Sequence, residues 1–540
     1  MGKRALYAIA LLGVLACSAG LVSGGGQHAA PKPSFQTSDR CLACHNGIVT
    51  PSGEDVSIGF DWRSSMMGNS SRDPYWQGSV RRESIDHPES QAAIEDECSI
   101  CHMPITRFEA KLEGRKGQIF SHLPFDQDKK NNAKAEDGVS CSVCHQISQE
   151  KLGTPESFNG GFVINPPSSK GEHAEYGPFA IDAGRQRIMH TSSGGFRPTE
   201  DAHIRDSALC GTCHTLKTKA LGPGGKEIGT FPEQMPYLEW LHSDYRERSS
   251  CQSCHMPEIH GQVPITAVLG VPREGAHRHT FVAANFFMLR MLNLYRKDLS
   301  VAALPTEMTA ASERTVAFLQ SEAARVSIRS IDLVSDRLQV QVLVQNLSGH
   351  KMPTAYPSRR AWLHVTIRDA RENKVFESGA LHADGSIEGN DNDADPVRFE
   401  PHYREITSGD QVQIYEPILK DAAGHVTTGL LSAVGYLKDN RLLPSGFKKE
   451  TAEQDIAVVG DAAEDPNFTD AGSLVRYSVS TGNAQGPFHV EAELWYQPIG
   501  FRWAHNLSPY NAPEPQRFVG YYDSMSTATA VLLTRAEARH

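Results

Sequence analysis

The chain has 540 residues, enough for two or more domains and a sizeable core. Its net charge of -11 argues against nucleic acid as a partner. Eleven cysteines, crowded into the first half, point away from a reducing compartment unless they hold a prosthetic group.

Lys3-Arg4 followed by the apolar run Ala5 to Ala16 reads as an export signal, too short to span a bilayer as a stable helix. Val14-Leu15-Ala16-Cys17 resembles a lipobox, so residues 1–17 are expected to end in a lipid-carrying Cys17. The competing reading is ordinary cleavage between Ser18 and Gly24, with Cys17 discarded. Residues 18–36, rich in Gly, Ser, Ala and Pro, read as a flexible tether. No later apolar run reaches about 18 residues, so the mature chain is not expected to cross a membrane.

From residue 41 one pattern returns five times. It is Cys-x-x-Cys-His: Cys41, Cys44 and His45; Cys98, Cys101 and His102; Cys141, Cys144 and His145; Cys210, Cys213 and His214; Cys251, Cys254 and His255. This is the attachment signature of c-type haem. Two thiols reach the two vinyl groups of one porphyrin, and the next residue offers its imidazole to the iron. Zinc knuckles also use Cys-x-x-Cys but do not require His after every second Cys. Five haem c groups, attached outside the cytoplasm, are therefore expected. The five motifs consume ten cysteines and leave Cys17, which lipidation would use. Spacings of 41 to 69 residues exclude a fixed-period solenoid.

Few long periodic segments occur between residues 37 and 300, as expected where porphyrins take the place of an apolar core. Two helices, over Asn285–Lys297 and Pro305–Val326, close this domain at about residue 325. Seven strand-like runs follow: Arg325–Val334, Arg337–Gln345, Trp362–Arg368, Gln411–Leu419, Ser473–Ser480, His489–Gln497 and Thr527–Leu533. The fold class read from this is α+β and multidomain. A mainly helical and irregular haem domain spans 37–325, and an immunoglobulin-like β-sandwich spans 326–540.

Each iron has a second axial face. A distal His or Met makes a carrier, and an open face admits substrate. Candidates are His277 and His279, paired on an extended segment, and His190 and His203, which flank a Gly/Ser-rich loop. His350, in a tight turn at the start of the β region, is placed to reach back to a haem. Met66 and Met67 offer thioethers. His87, His122 and His173 are held in reserve, and His242 and His260 are read as surface residues.

Asp137 to His145, Tyr176 to Phe179, Cys210 to His214, Pro232 to Trp240, Cys251 to Pro257 and His279-Thr280-Phe281 together carry a resemblance. Over residues 37–300 the chain resembles exported multihaem cytochromes related to the tetrahaem carrier that serves hydroxylamine oxidoreductase. Residues 346–520 resemble a domain appended to some bacterial multihaem cytochromes, marked by Gly349 to Thr354 and Pro357 to Trp362. The resemblance implies electron transfer through mostly bis-imidazole haems. Five motifs here against four there forbid copying the haem order.

The expectation is a periplasmic or cell-surface electron carrier, lipid-anchored to a bacterial membrane, with a redox protein as donor and another as acceptor. The competing expectations are an oxidoreductase acting on a small nitrogen or sulfur compound at one open haem, and a subunit of a conductive filament. Two smaller signals remain. Asp391, Asp393 and Asp395 alternate as in a calcium loop, without the Gly and Glu of an EF-hand, so a solvated loop competes with calcium binding. Arg359-Arg360 is read as facing either haem propionates or water.

Overall fold

The computed structural model describes residues 35–126 and 132–540. The signal segment, Cys17 and most of the tether lie outside the described residues. The fold is α+β, with short helices in the first half and antiparallel sheets in the second. No helix among the described residues is long and apolar enough to cross a membrane.

The first half is held by small separate apolar clusters. One gathers Val80, Ile94, Met103 and Ile119, a second Phe35, Ile105, Val143 and Ile147, and a third Ile48, Val56, Ile259 and Val263. Its helix Pro74–Asp86 starts where the buried Asp73 carboxylate accepts from the Tyr75 and Trp76 amides, with Pro74 at the first position.

In the second half, Arg360–Arg368 and His489–Gln497 are the centre of one sheet. Ile414–Tyr415 and Lys374–Ser378 pair with the first of them, and Val531–Arg539 with the second. The other sheet runs Phe468–Thr469, Gly472–Ser480, Arg337–Asn346, Ala324–Val334, and Glu405–Ile406 joins Gly472–Ser480 in parallel. Val340, Val342 and Val344 of one sheet and Leu363, Val365 and Ile367 of the other share a single apolar cluster. The two inner faces therefore pack as a sandwich. A third small sheet, Val426–Thr427, Pro417–Asp421, Ala433–Asp439, lies beside it.

Most of the expected strands form within a residue or two of the expected ends. Gln411–Leu419 splits into Ile414–Tyr415 and Pro417–Asp421, in different sheets, because Pro417 has no amide hydrogen to continue a ladder. The last strand is Val531–Arg539 rather than Thr527–Leu533. Thr534 to Arg539 has a helix-forming composition, yet it pairs with His489–Gln497 over its whole length. Packing overrides propensity there.

The two closing helices are Phe286–Leu294 and Pro305–Glu322. Their buried residues, Phe286 to Leu292 with Met308 and Leu319, belong to the same apolar cluster as both sheets. Apolar packing is thus continuous across residue 325. The halves also interlock through Pro513–Ser524, which crosses the helix Pro74–Asp86 at Gly78. A Cβ at Gly78 would lie 3.3 Å from Pro515 Cα, so the glycine lets the two helices approach closely. Glu514 grips Arg81 by two hydrogen bonds of 2.8 and 3.0 Å.

Candidate haem sites

The motif pattern acquires its meaning from helical geometry. Residues at i, i+3 and i+4 share one face of a helix. Gln91–His102, Cys141–Cys144, Ser207–Gly211 and Cys251–His255 each carry all or the start of one motif. Both thiols and the imidazole therefore leave the backbone on the same side.

All ten motif cysteines and all five motif histidines line one connected cavity of about 1850 Å³. The motifs also meet one another across it. The thiols of Cys41 and Cys141 interact, as do those of Cys101 and Cys213 and those of Cys210 and Cys251. Cys254 is the one motif cysteine with a large exposed surface.

Four of the five motif histidines are oriented by backbone carbonyls. Nδ1–H of His45 donates to Ile265 O at 2.6 Å, that of His102 to Ser70 O at 2.9 Å, that of His145 to Tyr176 O at 2.6 Å and that of His255 to Val282 O at 2.6 Å. A carbonyl only accepts, so Nδ1 carries the proton and Nε2 keeps a lone pair for a metal. Burial pushes each of these imidazoles down, His102 and His255 to about 4, which favours the neutral, ligating form.

Three further histidines line the cavity: His277, His279 and His350. Each donates Nδ1–H to a carbonyl, of Met256, His277 and Lys351 respectively. Two of them face motif histidines. The rings of His145 and His279 have centroids 6.3 Å apart and planes 21° from parallel. Those of His255 and His350 are 6.2 Å apart and 3° from parallel. Two metal–nitrogen bonds of about 2 Å plus the ring half-widths add to roughly 6 Å, so each pair is spaced to hold one ion between its Nε2 atoms. Neither His45, His102 nor His214 faces another imidazole at this spacing among the described residues. The His102 ring lies against the Trp76 indole instead, at 4.3 Å and 2°.

The other sequence candidates separate cleanly. Met66 and Met67 line the cavity. His203 does not: its Nε2–H donates to Ile147 O at 2.8 Å, which takes that nitrogen away from a metal, and its Nδ1 lies beside Asp201 at 2.8 Å. His190 is on the helix Ala183–Ser193, which presents Ile188, Met189 and Ser192 to the cavity. His190 itself is not part of the wall. Of the reserves, His87, His122 and His173 also stay outside it. Nε2 of His242 donates to Lys448 O at 3.1 Å.

Met189 was not singled out in the sequence, and nothing in its local pattern distinguishes it from a packing methionine. Arg359 and Arg360 part company. Arg360 is buried in an ion pair with Asp393, at 2.7 and 2.9 Å, while Arg359 lines the cavity. That pairing, with Asp391 on Arg398, ties up two of the three alternating aspartates. No group of three metal-ligating side chains converges among the described residues.

The donor set fits haem c: paired thiols, an adjacent neutral imidazole, and a shared apolar cavity. The chain is similar to the penta-heme cytochrome c552 from Thermochromatium tepidum, with TM-score 0.50 and 14% identity, covering 94% of this chain and 99% of that one. The likeness is one of fold. No family model matches the chain, and no curated protein does.

Proposed function

We propose that the chain is a multihaem c-type cytochrome that carries electrons through five covalently attached haems. One observation carries this reading: five complete attachment motifs, remote in sequence, open onto a single cavity. Bound there, haem supplies a one-electron couple. The chain would hold each group by two thioethers and a neutral histidine, and it sets the sulfurs of neighbouring motifs side by side, so that electrons need only short hops. The likeness to a penta-heme cytochrome supports the same count.

The finer parts of the reading rest on sequence. Export and a lipid anchor at Cys17 are supported by residues 1–17, and kinship with the tetrahaem carrier of the hydroxylamine oxidoreductase system by the shared motif segments. Donor and acceptor are then redox proteins outside the cytoplasm, and Cys254 marks the haem nearest the surface.

A second reading has its own observation. Five irons need five distal ligands, and among the described residues three histidines beyond the motifs line the cavity. The two remaining faces fall to thioethers such as Met66, Met67 and Met189, or stay open to a small nitrogen or sulfur compound. The purified exported protein is expected to contain five haem equivalents per chain by pyridine haemochrome. Ferric spectra then separate the two readings. Five low-spin centres describe a carrier, whereas a high-spin signal that shifts with nitrite or hydroxylamine describes an enzyme. A chain with far fewer than five haems would overturn both.

A further inference from the structure

We infer that the β half supplies an axial ligand to the haem half: His350 is the distal partner of His255 on the haem held by Cys251 and Cys254. The inference rests on the multihaem reading and extends it across the boundary between the two halves.

His350 follows the strand Arg337–Asn346, and its loop is gripped from both sides. From the β half, Asn346 Nδ2 donates to His350 O at 2.7 Å and Ser348 Oγ donates to the same oxygen at 3.1 Å. From the haem half, Tyr245 OH donates to Leu347 O at 2.6 Å and Ser243 Oγ donates to Gly349 O at 2.9 Å. Gly349 suits this embrace, since a Cβ there would sit 3.1 Å from the Tyr245 side chain and press it aside by a few tenths of an ångström. The next residue fixes the loop in depth. Lys351 is 0% exposed; its Nζ donates to Asp439 at 2.7 Å and its amide donates to Glu239 at 3.1 Å. Arg441 bridges the same two carboxylates, at 2.8 Å to Asp439 and 3.0 Å to Glu239. The four charges cancel, and Glu239 belongs to the haem half. A buried charge must be paired to be tolerated, so this tetrad defines one seating of the loop.

That seating sets the imidazole. With Nδ1–H donated to Lys351 O, Nε2 of His350 keeps its lone pair, and the ring lines the cavity 6.2 Å from that of His255, whose own Nδ1–H is committed to Val282 O. The ring planes are parallel within 3°. An iron–nitrogen bond would then clasp the two halves beside the haem whose Cys254 is nearest the surface. The β half would so determine the axial field, and hence the potential, of a terminal haem.

The test uses the mature holoprotein and its His350→Gly variant. The expected result is unchanged haem content with one haem of the five converted from low-spin to high-spin. That ferrous haem binds one additional equivalent of carbon monoxide, and added imidazole restores the low-spin spectrum. Five haems with an unaltered spin count and no added carbon monoxide binding would overturn the inference and leave the multihaem reading standing. Loss of haem altogether from the wild-type protein would remove both. Should His350→Gly fail to mature, His350→Met decides: one of five midpoint potentials rises, with a sulfur-to-iron band, or none does. Should both variants fail, wild-type electron paramagnetic resonance must show a rhombic low-spin centre of parallel-imidazole type. Its absence counts against the assignment.

Discussion

Asp439→Asn is expected to destabilise the junction of the two halves by about 3–5 kcal/mol, because it strands two buried cations on one carboxylate. Lys351 Nζ lies 2.7 Å from Asp439 and Arg441 2.8 Å, and all three residues are buried. After the change, Glu239 alone must offset both charges. The melting temperature should fall by about 3–4 °C in a calorimetric scan of the holoprotein, given the large unfolding entropy of a chain of this size. Burial by itself would raise the Asp439 pKa, but Arg441 and Lys351 beside it hold the carboxyl well below its usual range. The folded value lies below the unfolded one, so the stabilisation is complete above the unfolded carboxylate pKa. It is lost only as pH falls toward the folded value. The wild-type advantage over Asp439→Asn should therefore persist from neutral pH to about pH 4 and shrink below it. Lys351→Met combined with Asp439→Leu should cost less than Asp439→Asn alone, since both partners leave together. A melting temperature unchanged in Asp439→Asn would mean that water reaches the tetrad.

The second large effect concerns the motif at the meeting point of the others. Cys210 interacts with Cys251 and Cys213 with Cys101, and both influence or feel Cys144. Cys41 meets Cys141, and His45 of its motif acts on His145 of that same neighbouring motif. Changing Cys41 and Cys44 to Ser together should yield a chain with four haems and otherwise normal low-spin spectra. Changing Cys210 and Cys213 to Ser should remove the central porphyrin, so that haem content falls below four and the exported yield drops. Intact mass and pyridine haemochrome per chain measure both. Equal, single-haem losses in the two double variants would show that the motifs mature independently and that the cavity has no centre.

Haem attachment was legible without a structure because it is written in consecutive residues. Cys, Cys and His at i, i+3 and i+4 are a local device, complete within one helical turn, and neither distant packing nor topology is needed to read it. The same holds for the helix starting at Pro305 and for the strands of alternating valines at 338–344. The limits of local reading appear at Thr534–Arg539, where composition favours helix and a neighbouring strand imposes extension. They appear again in the distal ligands. His203 and His279 look alike in sequence, but Nε2 of one is bound to Ile147 O outside the cavity, while the other lines the cavity beside His145.

The sequence by itself determined how many attachment motifs there are, which thiols and proximal imidazoles belong to each, and that a strand-rich half follows. Only the tertiary structure decided that the five motifs share one cavity, that three further histidines reach it, and that one of these comes from the β half. The reason is physical. A covalent attachment motif is specified by neighbours along the chain, whereas an axial pair joins residues far apart, His255 with His350 and His145 with His279, whose meeting depends on every carbonyl, ion pair and packed strand that holds the two loops in place.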